Sequence, residues 1–401
     1  MFARFGKILL VLAGVTLALV MLEGGLRLFH IEYPHFYEYD PFLGARLRPG
    51  MQGYWLKEGG RYVTINSDGL HDREHDVKKP PNTLRIAVLG DSYTEALQVD
   101  REKAFWAVME KDLQHCSHLR GRQVEVINFG QSGFGTAHAL LTLRHRVWKY
   151  SPDIVLLAFC TGNDLADNSP ILNQRDTDPF FIFQGDELVL DDSRVQKLGK
   201  KWEEIKRRRN WIGEVYQWLS DNSRVFQLME QCQKIISQKW SSGASADKGK
   251  PGGRESDPGM FAAIYQEPQS EVWQEAWRVT EALLVKMKAE VAQRGARFFV
   301  VVLTNNHQVH PQVSLHQPFT DSWEVYDLLY PDRRLQRFCL SHSIPVLLLA
   351  PLFQEYATVH QVYLHGFQHP FWSTLGFGHW NARGHSLAGQ AIAGWLCPQL
   401  N

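Results

Sequence analysis

Leu84-Arg85-Ile86-Ala87-Val88-Leu89-Gly90-Asp91-Ser92-Tyr93-Thr94-Glu95-Ala96 decides how this chain is read. The apolar, β-branched run from Leu84 to Leu89 predicts a buried strand. It stops at Gly90-Asp91-Ser92, where small turn-forming residues bring a hydroxyl to the strand's carboxyl end. Open α/β sheets place their ligands at that end. A serine is a poor nucleophile unless a base takes its proton and fixed donors face the developing oxyanion. The rest of the sequence is therefore read for those partners.

Downstream, Glu102 to Leu113 has helical spacing, and a second strand, Val124 to Phe129, runs into Gly130-Gln131-Ser132-Gly133. A helix over Ala137 to Tyr150 leads to a third strand, Asp153 to Phe159, which runs into Thr161-Gly162-Asn163-Asp164. Strand and helix alternating through short turns predict a parallel sheet covered on both faces. About a hundred residues then break the pattern, far more than the roughly 2 to 6 of an ordinary α/β connection. This insertion opens with a hairpin, Phe180 to Phe183 and Leu188 to Leu190. It continues through helical stretches at Val195 to Leu219, with the solvated charge run Lys206-Arg207-Arg208-Arg209, and Arg224 to Gln238. Ser241 to Pro258 reads as a disordered linker. Alternation resumes with a helix from Glu271 to Arg294, a strand at Arg297 to Leu303, a helix at Asp332 to His342 and a strand at Ile344 to Leu349. The last element is a helix from Arg383 to Leu396, directly after Gly378-His379-Trp380-Asn381.

The expected organisation is an N-terminal targeting segment over 1–30 and an aromatic extension over 31–82 with a strand at Tyr62 to Asn66. A first half of the main domain spans 83–165, the insertion 166–270 with its linker near 241–258, and a second half 271–401. In the first segment Arg4 and Lys7 precede an uncharged run from Ile8 to Leu22, the layout of a signal peptide or signal anchor. About 15 apolar residues fall short of the roughly 20 that span a bilayer, and no small-x-small cleavage site follows. An uncleaved anchor, with the bulk of the chain exported, is the favoured expectation over a cleaved signal or a buried helix.

Lys+Arg and Asp+Glu both number 43 in 401 residues, so no global field recruits nucleic acid. Cys116, Cys160, Cys232, Cys339 and Cys397 show no C-x-x-C spacing, which argues against a metal site or disulfide framework while leaving one or two bridges open after export. His307, His310, His365 and His369 lack an accompanying acidic ligand pattern. No metal or other cofactor is expected.

Each strand end now has a task. Ser92 would attack a carbonyl carbon. The backbone N–H groups of Ser92 and Gly133 and the amide of Asn163 would face the oxyanion, and His379 would carry the proton. In this order, each at the end of an expected strand, these residues resemble the SGNH hydrolases, or GDSL-type esterases and lipases. The resemblance covers Leu84 to Asp164 and Glu271 to Leu396. Asn66-Ser67-Asp68-Gly69 before the serine block is similar to the membrane-tethered bacterial branch.

The resemblance implies an α/β, flavodoxin-like three-layer fold with a parallel sheet of about five strands, and acyl transfer through a serine ester. It matches Ser92 to the nucleophile, Gly133 and Asn163 to the oxyanion donors and His379 to the base. Asp91, Asp164 and Asn381 match supporting positions, and His385 a structural one at the helix start. One position departs: the family usually carries an aspartate three residues before the histidine, and Gly376 stands there. A backbone carbonyl could orient His379 instead, or a distant carboxylate such as Asp68 or Glu95.

The expected function is an exported, membrane-tethered serine esterase acting on O-acyl groups of a carbohydrate or envelope polymer, with Phe371, Trp372 and Trp380 as candidate sugar platforms. The alternatives are an O-acyltransferase on the same residues, a lysophospholipase if the insertion is an apolar lid, and a catalytically degenerate glycan-binding or assembly protein.

Overall fold

A computed structural model describes residues 2–173, 175–208, 210–244, 262–312, 325, 327–369 and 373–400. An N-terminal helix, Phe2–Leu28, leads into two hairpins, β1 (Tyr37–Asp40) with β2 (Gly44–Leu47) and β3 (Gln52–Trp55) with β4 (Arg61–Thr64). The next strand is β5 (Thr83–Gly90), built from the run that opened the sequence analysis. Its neighbours are β6 (Gln123–Asn128) and β7 (Ile154–Cys160), both parallel to it; Ile86 lies opposite Val126 on one side and Ile154 on the other. After the insertion hairpin, β8 (Phe180–Gln184) with β9 (Glu187–Asp191), the sheet is completed by β10 (Arg297–Leu303) and β11 (Val346–Leu348).

The sheet order is β6-β5-β7-β10-β11. Numbered among themselves, these five strands run 2-1-3-4-5, the flavodoxin-like winding, which reverses direction between β5 and β7. Every residue of β5 is buried because helices cover both faces. Ala87, Leu89, Val155 and Leu157 pack beneath helices Thr136–Thr142, Glu271–Gln293 and Tyr330–Ser341. Ile86, Val88, Leu156 and Ala158 pack beneath Phe105–Leu113, Ala350–His360 and Ala382–Leu396. Alternation of side chains across the pleat divides one continuous apolar run between two cores.

The differences from expectation lie where short-range pattern is weakest. Helix Ala350–His360 and the β1–β2 hairpin had no reading, and the 62–66 strand is the return arm of a hairpin, Arg61–Thr64. The 195–219 stretch is two helices, Ser193–Arg208 and Trp211–Asn222. Asn210 interrupts it because its side chain accepts from the Gly213 N–H and starts a new helix. The edge strand expected over 344–349 is only three residues long. Of the 241–258 linker, 241–244 extend helix Arg224–Ala244 and the remainder lies outside the described residues.

The N-terminal helix is also longer than its 15-residue apolar core. Phe5–Leu28 is 24 residues long, its most apolar stretch unburied, and is long and apolar enough to cross a membrane. At 1.5 Å per residue it spans about 36 Å. Glu23 near its end accepts from Ser223 Oγ and from the N–H groups of Arg224 and Val225, and Arg27 donates to the Asn222 carbonyl. The turn between two insertion helices therefore sits on the last turns of this helix. Cys116 and Cys397 form a disulfide that ties the C-terminus to the loop before β6.

Candidate active site

Ser92 begins a one-turn helix, Ser92–Glu95, at the carboxyl end of β5. Asp91 caps that turn: its Oδ1 accepts from the Tyr93 N–H at 3.0 Å and its carbonyl accepts from Glu95 at 2.9 Å. Across the switch point, Asp164 Oδ2 accepts from the Cys160 N–H at 3.1 Å and braces the loop after β7. Both carboxyl groups are buried. Burial raises Asp91 to about 6 and pushes Asp164 well above the usual carboxylate range, with Asp91 itself adding to the latter shift. They hold loops, as the resemblance implies, and neither faces His379 Nδ1.

His379 precedes the C-terminal helix, whose N-cap is Asn381. The Asn381 side chain accepts from the N–H groups of Arg383 and Gly384 and donates to the carbonyls of Tyr363 and Gly366, fixing the loop to its neighbour. His385 lies buried in the first turns of the same helix, where its Nδ1 accepts from the Phe105 N–H. So placed, His379 Nε2 lies 2.7 Å from Ser92 Oγ.

On the other side of the imidazole is a residue that sequence reasoning missed. Glu58 Oε2 accepts from His379 Nδ1 at 2.5 Å, and Glu58 Oε1 accepts from the His379 backbone N–H at 3.1 Å. Glu58 comes from the turn between β3 and β4, 321 residues earlier. A glycine two residues beyond the position where the aspartate was expected explains how it fits. Gly378 has φ +71°, and a Cβ there would lie 2.1 Å from Glu58 Oε1. The turn has shed its own side chain and the space holds another segment's carboxylate.

The other proposed sources do not reach the histidine. Asp68 binds Lys149 Nζ at 2.5 Å and the Tyr150 hydroxyl. Glu95 is turned beneath the loop after β6, accepting from Tyr37 Oη at 2.9 Å and from Ser132 Oγ. A backbone carbonyl does orient a histidine here, but that histidine is His365, whose Nδ1–H donates to Gly378 O at 2.7 Å.

Glu95 carries a pH signature. Burial raises it from 4.5 to about 7, against the opposing hydrogen bonds of Ser132 and Tyr37. With the folded value above the unfolded one, its contribution to stability is complete below pH 4.5 and is lost as pH rises through 7. The melting temperature of Glu95→Gln, followed by circular dichroism, is expected to fall less than the wild type's between pH 5 and 8. Parallel curves would show that Glu95 does not titrate in that window.

Ser92, Gly133, Asn163 and His379 line one cavity of about 500 Å³. Gly133 has φ +80°, and a Cβ on it would meet the guanidinium of Arg175 at 1.9 Å. Arg175, also unforeseen, comes from the insertion. It donates to the Gly133 carbonyl and pairs with Asp167 at 3.0 Å and Asp178 at 2.8 Å. Asn163 Nδ2 donates to Asp167 Oδ2 at 3.0 Å, so Asp167 holds both the asparagine and the arginine. Neither Glu58 nor Arg175 has a local sequence signal; each is an ordinary loop residue until the chain is folded. Trp380 is no sugar platform: it is fully buried and its indole N–H donates to Thr304 Oγ1 at 2.7 Å. Phe371 and Trp372 lie outside the described residues.

No protein-family model matches the chain, and no curated protein matches it. Solved structures do. The acetyl xylan esterase AlAXEase is 12% identical, with a TM-score of 0.36 over 79% of this chain and 99% of that one. A mutant of Axe2, an acetyl-xylooligosaccharide esterase from Geobacillus Stearmophilus, is 11% identical, with a TM-score of 0.37 over 78% of this chain and 94% of that one. The lipase/acylhydrolase from Enterococcus faecalis is 13% identical, with a TM-score of 0.37 over 79% and 96%. Likenesses of this size carry no residue roles across. The chain's own 2-1-3-4-5 parallel sheet, with Ser, Gly, Asn and His at one cavity on its carboxyl edge, is the architecture that the SGNH hydrolase resemblance implies.

Proposed function

We propose that this protein is a serine ester hydrolase of the SGNH type that cleaves O-acyl, and specifically O-acetyl, esters of a carbohydrate or envelope polymer through an acyl-serine intermediate. The observation that carries the reading is the chain of contacts from Ser92 Oγ to His379 Nε2 at 2.7 Å and from His379 Nδ1 to Glu58 at 2.5 Å. Because a carboxylate can only accept, Nδ1 carries the hydrogen and Nε2 is left free to take the serine proton.

Ser92 Oγ attacks the ester carbon as its proton passes to Nε2. Charge on the carbonyl oxygen is met by the N–H groups of Ser92 and Gly133 and by the Asn163 amide, while the ionised Glu58 favours the imidazolium that forms. The imidazolium gives its proton to the departing alkoxide, and water repeats the sequence to release the acid. The missing aspartate and the long insertion favour a binding-only reading; a carboxylate from Glu58 in the aspartate's place supports the hydrolase reading.

Two features support export with retention at a membrane: the apolar 24-residue helix Phe5–Leu28 and the Cys116–Cys397 disulfide, a bond that persists in oxidising compartments.

The test is turnover of p-nitrophenyl acetate by the full chain in detergent, before and after treatment with diethyl p-nitrophenyl phosphate. Activity should vanish with one diethylphosphoryl group on Ser92, located by peptide mass spectrometry. Turnover that survives, or a label elsewhere, would overturn the assignment.

A further inference from the structure

The cavity at Ser92 does not end there. Ser92, Gly133, Arg175 and His379 also line a second cavity of about 450 Å³ on the far side of the Gly133 turn. That one shares Tyr37, Trp55 and Lys57 with a third, of about 560 Å³. The third lies between the segment after the N-terminal helix, hairpin β3–β4 and insertion helix Arg224–Ala244. The three form a series whose partition, Trp55 and Lys57, is continuous in sequence with Glu58. Lys57 Nζ sits 4.9 Å above the Trp55 ring, and Phe36 meets that ring edge-on at 5.9 Å.

We propose that the third cavity is a glycan subsite, which binds the sugar chain bearing the ester and presents its acylated hydroxyl to Ser92 through the second cavity. The proposal rests on the serine-esterase reading for what happens at Ser92. Its own basis is the chemistry of the walls. Tyr33, Tyr54 and Trp55 offer rings whose flat faces suit the C–H faces of pyranoses. Between them stand Gln231, whose amide both donates to and accepts from hydroxyls, and Lys234, which donates to them.

A long acyl chain fits this lining poorly. It would take water from Lys57 and Lys234 and return no hydrogen bond to either. A neutral, hydroxyl-rich chain satisfies both the rings and the polar groups. The Trp55 indole Nε1, buried and without a hydrogen-bond partner, leaves one further donor at the partition.

On this account the aromatic extension and the insertion are the walls that select the alcohol, and the hairpin that orients His379 also separates the sugar site from the reacting centre. Occupancy of one is placed next to the geometry of the other.

The experiment uses the full chain in detergent with O-acetylated xylo- and chito-oligosaccharides of one to six residues, beside p-nitrophenyl acetate. For one of the two series, kcat/KM is expected to rise at least tenfold from monomer to hexamer, through KM. The double variant Tyr33→Ala/Gln231→Ala should remove that dependence on length. Lys234→Ala, a single change on the insertion helix, serves as a second variant should the first fail to fold, with a loss of about threefold or more on the hexamer.

Titration of the Ser92→Ala chain with the acetylated hexamers separates the two readings. Hexamer binding, lost in the subsite variants, together with no ester turnover by the unmodified chain keeps the subsite and sinks the esterase. Turnover of p-nitrophenyl acetate with no hexamer binding and no length dependence sinks the subsite and keeps the esterase. A preference for lysophospholipid micelles over every oligosaccharide also overturns it, because the cavity would then be an acyl-chain site.

Discussion

Ser92→Ala should lower kcat on p-nitrophenyl acetate by at least about 10³-fold, and His379→Ala by a similar factor. The double variant should be no worse than either alone, because serine and histidine act as one unit in moving one proton. The geometry behind this is the 2.7 Å contact between Ser92 Oγ and His379 Nε2. Without the hydroxyl there is no acyl acceptor; without the imidazole the hydroxyl keeps its proton. KM should change little, since neither group is asked to hold the ground-state ester. Far-ultraviolet circular dichroism and melting of each variant check that the loss is not one of folding. A Ser92→Ala chain that retained a tenth of the activity would place the nucleophile elsewhere, and multiplicative losses in the double variant would mean that the two residues act in separate steps.

The second large effect belongs to Glu58. Removing the charge on the acceptor of a catalytic histidine has cost on the order of 10⁴ in turnover in a serine protease whose replacement imposed the wrong tautomer. Glu58→Gln poses the same problem here. An amide N–H directed at Nδ1 would turn the hydrogen toward Nε2 and point it at Ser92 Oγ. A loss in kcat of about 10² to 10⁴ is expected, with the larger part absent in Glu58→Ala, where water can accept from Nδ1. Glu58→Ala should also recover activity when acetate or formate is added, because Gly378 leaves room for a small carboxylate beside the imidazole. A merely structural Glu58 would give variants of lower melting temperature that external carboxylate does not rescue.

These two predictions differ in how far the sequence could have carried them. Ser92 and His379 were legible because each ends or begins a regular element. The alternation of Ala87 and Leu89 with Ile86 and Val88 makes β5 a strand buried on both faces, and Asn381 marks a helix start two residues after the histidine. Local periodicity and capping are short-range properties, so one chain is enough to read them. The order of the blocks then followed from the winding of a parallel sheet, which gathers strand ends on one edge.

Glu58, Arg175 and the burial of Trp380 were not legible. Glu58 lies in a five-residue turn between four-residue strands, and only docking of that hairpin against the β5 end brings it to the histidine. The glycines at 376 and 378 looked like a missing catalytic part. At Gly378 the space is filled by a carboxylate from elsewhere, whereas a side chain at Gly376 would meet His310 and Tyr363. Arg175 reaches Gly133 because the insertion folds back over the site, and Trp380, beside the histidine in sequence, faces the core, where its ring meets Tyr93, Phe105 and Phe353. Local pattern carried the strands of a parallel sheet, while its winding and the candidate roles of Ser92 and His379 came through the resemblance to the SGNH hydrolases. The acceptor behind the histidine and the walls of the neighbouring cavities were decided by tertiary structure alone, since contacts between segments hundreds of residues apart leave no periodic trace in either one.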